Sequence, residues 1–167
     1  MTQYSSDASN AGRDMPGSHE EAEEVDDPRW CHVSSILHDR FRFFLNHLAA
    51  GQQATLHLSN NQLVMDLNSQ FRGQQKPTNV LSFPIPAAFP GCEGLGDVIL
   101  SFDVVAEEAM KQKKSLLDHA THLLLHGLLH LLGYDHESEK DAAIMEQKER
   151  DLLCHFSIPD PYVGDGV

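Results

Sequence analysis

Three histidines in the second half of the chain have the spacing of ligands to one metal ion. They are His126, His130 and His136 in the stretch HGLLHLLGYDH. His126 and His130 are four residues apart, so they share one face of a helix. Gly133 is the residue type that ends a helix in the left-handed conformation, after which the chain can turn back. The pattern therefore predicts that His136 approaches the same ion from outside the helix.

Three imidazole nitrogens are typical of catalytic zinc, which keeps one coordination position open, whereas structural zinc has four protein ligands. An alternative ligand set is His122, His126 and His130. These three would be strung over about 12 Å of one helix at 1.5 Å per residue, which disfavours a shared ion. We expect His119 and His122 to lie behind the ligands or to face the substrate, and simple packing is the alternative for both.

The elements that position these histidines follow from hydrophobic periodicity. The Leu-rich run Leu116–Leu132 predicts a helix of about four turns, with Ser115 as its N-cap. Ser34 or Ser35 is the expected cap of the first helix, and Asp103 that of the third. Other helices are predicted over residues 32–50, 61–71, 103–114 and 139–155, and strands over 53–58, 80–83 and 95–102, the last two pairing as a hairpin. The fold class is α+β: a single domain with a small mixed β-sheet packed against about five helices, one central helix carrying the metal-binding histidines.

Length and composition predict the number of domains, their limits and the cellular location. The net charge is −13 over 167 residues, a length that suits one domain. Residues 1–29 are rich in Ser, Asp and Glu, contain few large apolar side chains and offer no legible strand, so we expect an acidic disordered tail followed by a domain over residues 30–162. We expect no membrane segment and no signal peptide, and therefore a cytoplasmic protein. The three scattered cysteines, Cys31, Cys92 and Cys154, predict free thiols without a disulfide partner.

A loop after residue 71 offers groups that suit a phosphate. It carries Arg72, Lys76, Thr78 and Asn79, and a guanidinium has a forked donor set that matches phosphate oxygens. A surface loop with two basic residues is also common without any ligand. In that alternative, Arg72 pairs with an acid such as Asp97 and braces the loop.

The chain resembles the YbeY endoribonuclease family, also called the rRNA maturation factor family. The resemblance covers Thr55–Tyr162 and rests on RGQQKPTNVLSFP, LGDVILS, HATHLLLHGLLHLLGYDH, the acidic AAIMEQKERDLL helix and DPY. It implies a zinc ion held by His126, His130 and His136, and it matches Arg72 to the arginine of the family. Arg72 is then the catalytic residue, and Arg72, Lys76 and Asn79 are the expected substrate-binding residues.

The resemblance also implies an activity and partners. It indicates a zinc-dependent endoribonuclease that is specific for single strands and acts in 3′-end maturation of small-subunit (16S) rRNA and in ribosome quality control. The partners would be single-stranded RNA, the ribosome and ribosome-assembly factors. Neither the residues nor the resemblance distinguishes a water nucleophile from the 2′-hydroxyl of the RNA.

Two other classes of protein are compatible with a histidine trio. Metzincin proteases share the spacing, but the position of their general base, a glutamate, is Gly127 here, which has no side chain to accept a proton. A structural zinc module that docks on the ribosome would need a fourth ligand, for which Asp135 is close in sequence. Both alternatives are less favoured than a nuclease.

The acidic charge predicts weak intrinsic affinity for RNA, because polyphosphate binding normally depends on Lys and Arg. Recruitment by a partner on the ribosome would compensate for it. Besides the loop around Arg72, the candidates for a basic surface are Arg40, Arg42, Lys111, Lys113 and Lys114.

Overall fold

The computed structural model describes residues 24–73, 78–85 and 94–163. Within these ranges, four strands form one sheet, accompanied by five α-helices. The strands are β1 (Glu24–Val25), β2 (Ala54–Ser59), β3 (Val80–Pro84) and β4 (Gly96–Ser101); the helices are α1 (Ser34–Leu48), α2 (Asn61–Arg72), α3 (Phe102–Lys111), α4 (Leu116–Leu131) and α5 (Glu139–Leu153). Two 3₁₀ turns, Pro28–Trp30 and Cys154–Phe156, precede α1 and follow α5. The predicted α+β class with a small mixed sheet is confirmed.

The sheet has the order β1-β2-β4-β3. β2 runs parallel to both β1 and β4, with Leu56 opposite Val98, while β3 is antiparallel to β4, with Ser82 also opposite Val98. The predicted hairpin of β3 and β4 is therefore confirmed. β3 is therefore an edge strand of the sheet, and it contacts the helix that carries the histidines.

Helix α4 lies at the centre of the main hydrophobic core. It contacts β3 and β4 on one side and α1, α3 and α5 around the rest of its surface. Its side chains that fill this core are largely fully buried leucines: Leu124, Leu125, Leu128 and Leu129. Burying an aliphatic side chain stabilises a fold by about 1.5–3 kcal/mol, so these leucines fix the position of the helix. The histidines occupy the remaining face.

Helix α2 covers the opposite face of the sheet through a second, smaller core that contains Val64, Leu81 and Ile99. The Asn60 side chain caps α2 by accepting a hydrogen bond from the Leu63 amide at 3.0 Å. Gly73 ends the helix in the left-handed region, at φ 65°. Arg72 is thus held at the last turn of a well-capped helix.

The described fold begins earlier than the predicted boundary at residue 30. Strand β1 pairs with β2 and was not predicted, because two residues are too short for any hydrophobic alternation to be recognised. Trp30 is fully buried and donates from its indole nitrogen to the Ser59 carbonyl at 2.8 Å. The assignment of residues 24–29 to a disordered tail was therefore wrong. Residues 1–23 lie outside the described part of the chain.

Two predicted helix caps also differ from the structure. The N-cap of α1 is Val33, without a side-chain cap, and the Ser34 hydroxyl donates backwards to the Cys31 carbonyl at 3.4 Å. Asp103 lies in the first turn of α3, where it accepts hydrogen bonds from Arg29 at 2.7 Å and from the Asn61 amide at 3.0 Å. Its carboxylate joins three segments of the chain instead of capping its own helix.

The cysteines in the described ranges are free thiols. Cys31 and Cys154 are both exposed and unpaired, in agreement with the prediction, and Cys92 lies outside the described residues. Among the helices that the structure describes, none has the length and apolar character needed to cross a membrane.

Candidate metal centre

The local structure around α4 explains how three histidines converge. Ser115 caps the helix by accepting a hydrogen bond from the Asp118 amide at 3.0 Å, as predicted. At the other end Gly133 adopts φ 93°, and its amide donates to the His130 carbonyl at 3.0 Å. The helix therefore stops shortly after His130, and the following segment carries His136 back towards it.

His126, His130 and His136 are brought together, as predicted. The Nε2 atoms of His126 and His130 lie 3.0 Å apart, and the ring centroid of His136 is 5.5 Å from that of His126 and 5.2 Å from that of His130. One ring nitrogen from each residue lies within 4.8 Å of those of the other two. The three imidazoles could therefore hold one metal ion, with His136 on the solvent side.

Glu149 of α5 lies directly behind this cluster. It is fully buried and accepts hydrogen bonds from His126 Nδ1 at 2.7 Å, from His122 Nε2 at 2.9 Å and from the Tyr162 hydroxyl. A neutral imidazole that donates from Nδ1 has its lone pair on Nε2, which here points towards His130. Glu149 thus selects the tautomer of His126 that can ligate a metal.

The carboxylate of Glu149 is ionised despite its burial. Burial alone would raise its pKa, but the hydrogen bonds from His122, His126 and Tyr162, together with the electrostatic influence of His122, bring the pKa down to about 2. Burial, together with this same carboxylate, raises the pKa of the Tyr162 phenol. A permanent negative charge therefore lies behind the cluster and makes it a better site for a cation.

The two upstream histidines are bonded to carboxylates. His122 donates to Glu149. A second group in the described residues that could hold a metal consists of His122, His126 and Glu149. The alternative ligand set of His122, His126 and His130 is not formed. His119 is buried and bonds to Glu108 at 2.7 Å. Burial lowers the pKa of His119, and the neighbouring Glu108 opposes the shift without reversing it.

His130 is suited to ligate a metal in its neutral form. Burial is the main cause that lowers its pKa, followed by the electrostatic influence of the neighbouring His126 and His136 rings. A metal competes with protons for imidazole nitrogen, so a lowered pKa favours the metal.

An open cavity of about 570 Å³ connects the cluster to the edge strand β3. It is lined by the histidines and Tyr162 and also by Arg72, Asn79 and Ser82. Arg72 is exposed, and its guanidinium donates one hydrogen bond to the Ser82 carbonyl at 3.3 Å. Asp97, the carboxylate considered as its bracing partner, bonds to His57 at 2.8 Å instead. The guanidinium therefore has donors left for a ligand in the cavity.

The other two predicted substrate-binding residues differ in what the structure shows. Asn79 lines the cavity, but its amide nitrogen donates to both oxygens of Glu108, at 3.2 and 3.1 Å. Its side-chain oxygen accepts a hydrogen bond from the Val80 amide at 2.7 Å. The side chain is thus already engaged in holding the start of β3. Lys76 lies outside the described residues.

Gly127 lies where α4 packs closely against the sheet. A Cβ atom at this position would lie 2.7 Å from Val98 Cγ1 and 3.0 Å from Ser82 Oγ. The Ser82 hydroxyl also donates to the Gly127 carbonyl at 2.9 Å. A side chain here would force Val98 to shift and would crowd Ser82, so this packing disfavours the glutamate that metzincin proteases carry at the same position of the motif.

Sequence reasoning missed Glu149 and Tyr162. A signal for Glu149 was present: it shares one face of α5 with the buried residues Met145, Leu152 and Leu153, and an acid on an apolar helix face needs a partner. Tyr162 had no comparable signal. Its position depends on the Asp160 carboxylate, which accepts from Arg150 Nε and from the Tyr162 amide, both at 2.8 Å.

Comparisons with known proteins agree with this arrangement. The family described as Endoribonuclease YbeY matches residues 20–157. The chain is similar to proteins named Endoribonuclease YbeY from Paracoccus denitrificans, at 50% identity over 58% of this chain and 62% of that one, and from Dichelobacter nodosus, at 45% over 66% and 72%. The solution structure of TM1509 from Thermotoga maritima has the same fold, with a TM-score of 0.55 and 22% identity over 87% of this chain and 98% of that one. The chain thus belongs to the Endoribonuclease YbeY family.

Proposed function

We propose that this protein is a zinc-dependent endoribonuclease that cuts single-stranded RNA. The observation that carries the proposal is one open cavity that is lined both by the three-histidine cluster and by Arg72. The relatives named Endoribonuclease YbeY support the same class of reaction. Its setting would be the cytoplasm, in 3′-end maturation of 16S rRNA and in ribosome quality control.

His126, His130 and His136 would hold the zinc ion. The fit is supported by their converging nitrogens and by the fully buried Glu149 carboxylate that holds His126 with Nε2 free. When bound, zinc acts as a Lewis acid that polarises a phosphoryl oxygen and lowers the pKa of water. Because the ligands are neutral imidazoles, binding would weaken in acid.

Arg72 would stabilise the charge that develops on the scissile phosphate. Arg72 lines the same cavity as the histidines, and its guanidinium donates one hydrogen bond to the Ser82 carbonyl at 3.3 Å. A forked cation placed where charge builds up lowers the barrier without any covalent step by the protein. We assign Asn79 to the same surface, as a residue that positions β3 through Glu108, and Lys76 to substrate binding.

Proteolysis is not supported by this cavity. In the protease motif the general base is the residue after the first histidine ligand. That residue is Gly127 here, which has no side chain, and a Cβ atom at this position would lie 2.7 Å from Val98 Cγ1. A structural zinc module would need a fourth ligand, but among the described residues Asp135 is not part of the group whose ligand atoms converge with those of His126, His130 and His136. An open site between His136 and Arg72 is what a reacting phosphate requires.

The basic residues that could help to bind RNA are mostly engaged elsewhere. Arg40 donates to Thr121 at 2.8 Å, and Lys111 pairs with Glu107 at 2.8 Å. Low affinity for free RNA would follow from this and from the net charge of −13. We therefore include the ribosome and its assembly factors as partners that bring the substrate.

The test is cleavage of a single strand that spans the 3′ end of precursor 16S rRNA, with the same sequence as a duplex and a casein digest as controls. We expect internal cuts in the single strand, far slower cutting of the duplex and no proteolysis. Cutting of casein, or equal cutting of both RNA forms, would contradict the proposal.

A further inference from the structure

A second, smaller cavity adjoins the metal cavity. It has a volume of about 170 Å³, and His122 lines both cavities. One wall is the segment Lys113–Ser115, which links α3 to α4, and the other is the segment after α5, with Pro159 and Pro161. Tyr162, the next residue, lines the metal cavity. A strand that leaves the metal cavity past Tyr162 therefore reaches this second cavity at once.

The walls suit a flat, partly apolar group. Ile158 and the two prolines supply apolar surface, and the volume is below the roughly 300 Å³ at which pockets for drug-sized ligands begin. The proline wall is fixed, because Asp160 bonds to Arg150 and to the Tyr162 amide, both at 2.8 Å. A preformed slot of this size matches a single ring system better than a peptide.

Two lysines, Lys113 and Lys114, line this cavity in a protein whose net charge is −13. Within the described residues, neither Lys113 nor Lys114 pairs with a carboxylate, whereas Lys111 on the same stretch bonds to Glu107. The N-terminus of the 16-residue helix α4 opens beside them and favours anions. Asp118 also lines the cavity, but Arg40 lies 3.8 Å from its carboxylate.

A buried polar atom in the wall lacks a partner. His119 lines the cavity, is 4% exposed and uses Nε2 to bond Glu108, while no hydrogen bond to its Nδ1 exists in the described part of the chain. A buried nitrogen without a partner is costly, and such atoms are often satisfied by a ligand or water.

We infer that this second cavity binds one nucleotide of the RNA strand next to the nucleotide at the metal cavity. The base would enter between the prolines and the His122 wall, where stacking is tolerant of sequence, and its phosphate would lie against Lys113 and Lys114. This inference rests on the proposed function, because it assumes that the strand in the metal cavity is RNA. The second cavity would thus be a binding subsite for a nucleotide next to the phosphodiester bond that is cut.

The test uses the full chain and a short single strand of 4-thiouridine with uncleavable linkages. Its photo-crosslinks to the protein are mapped, and its affinity is measured at several salt concentrations for the wild type and for the double variant Lys113→Gln, Lys114→Gln. Lys111→Gln is the matched control, since it removes one nearby charge outside the cavity.

We expect crosslinks within residues 113–122 or 158–162. The slope of log affinity against log salt should become shallower in the double variant, by about 0.7 for each phosphate that the protein no longer neutralises. Lys111→Gln should leave both readouts unchanged. Crosslinks confined to the Arg72 side, or equal effects of the control and the double variant, would overturn the inference.

The two proposals fail in different ways. If natural RNA is cut but crosslinks avoid these segments, the second cavity has been misassigned and the nuclease proposal stands. If the crosslinks appear and no RNA is cut, the nuclease proposal fails instead, and with it the role of the second cavity beside a cleavage site.

Discussion

The two halves of α4 carry the same residue type on one face and use it differently. In the first half, His119 and His122 bond to Glu108 and Glu149 at 2.7 and 2.9 Å. In the second half, His126 and His130 turn Nε2 atoms towards each other, 3.0 Å apart, at the wall of an open cavity. The helix period places all four side chains in a row, so it does not explain the difference.

The difference comes from carboxylates on other elements. Glu108 of α3 and Glu149 of α5 take the nitrogens of the first half, while in the second half Glu149 lies behind His126 and leaves its Nε2 free. Histidines whose Nε2 bonds to a carboxylate belong to a polar network, and a histidine that bonds its carboxylate through Nδ1 keeps Nε2 for a metal. Substitutions in the first half of α4 should therefore affect the polar network, and substitutions in the second half should affect metal binding.

The largest effect is expected from His136→Ala. Removing one of three ligands should reduce zinc from about one ion per chain to a small fraction, because two imidazoles are a much weaker site. Elemental analysis after gel filtration measures it. The matched control is His122→Ala, which should keep its zinc; zinc retained in His136→Ala and lost in His122→Ala would instead support the group of His122, His126 and Glu149.

Arg72→Ala should lower the rate of RNA cleavage by about 10²–10³-fold, the typical cost of removing one transition-state donor. Arg72→Lys should restore little, since an ammonium does not form two parallel hydrogen bonds. Zinc content and melting temperature should stay at wild-type values, as should the activity of the control Lys140→Ala, which removes an exposed charge on α5. If zinc and stability fall together with activity, Arg72 braces the fold; if nothing changes, it has no role in the cavity.

Glu149→Gln should weaken zinc binding by about 10- to 100-fold, because the orienting carboxylate behind His126 is lost. Glutamine has nearly the same shape, so the fold should be retained. Competition with a chromogenic chelator measures the affinity, and Glu146→Gln, one turn earlier on α5, is the control. Equal affinities for the wild type and Glu149→Gln would show that Glu149 only packs behind the cluster.

His119→Gln should affect stability without affecting zinc. The bond to Glu108 would be weakened inside the core, at a cost of about 1–3 kcal/mol for a buried polar group left unsatisfied. Denaturant unfolding measures the loss, and a parallel zinc titration should give the wild-type affinity. A large loss of zinc affinity at unchanged stability would move His119 into the metal site and remove the contrast between the two halves.

The smallest effect is expected at the N-terminus. Deleting residues 1–23 should leave the melting temperature and zinc content unchanged, because that composition buries little surface. Deleting residues 1–27 should lower the melting temperature by several degrees, since it removes β1 and the Asp27 carboxylate that bonds Arg29. Equal melting temperatures for the two deletions would show that β1 contributes nothing measurable to the sheet.

Local patterns accounted for most of the helices and for the histidine trio. His126 and His130 follow from helical spacing, and Gly133 indicates the turn that returns His136. The pairings of Glu149 with His122 and His126, and of Asp103 with Arg29, join residues far apart in sequence, and no periodicity encodes them. β1 was missed for a different reason: it depends on β2 for its hydrogen bonds and has no pattern of its own.

The most direct test of a metal-dependent nuclease at this site is a titration of metal-free protein with zinc, read by cleavage of single-stranded RNA. We expect no cleavage without metal, a linear rise to a plateau at about one zinc per chain, and no rise in His136→Ala over the same range. Full cleavage by the metal-free protein, or the same titration curve for His136→Ala, would contradict a nuclease that depends on zinc at the three histidines.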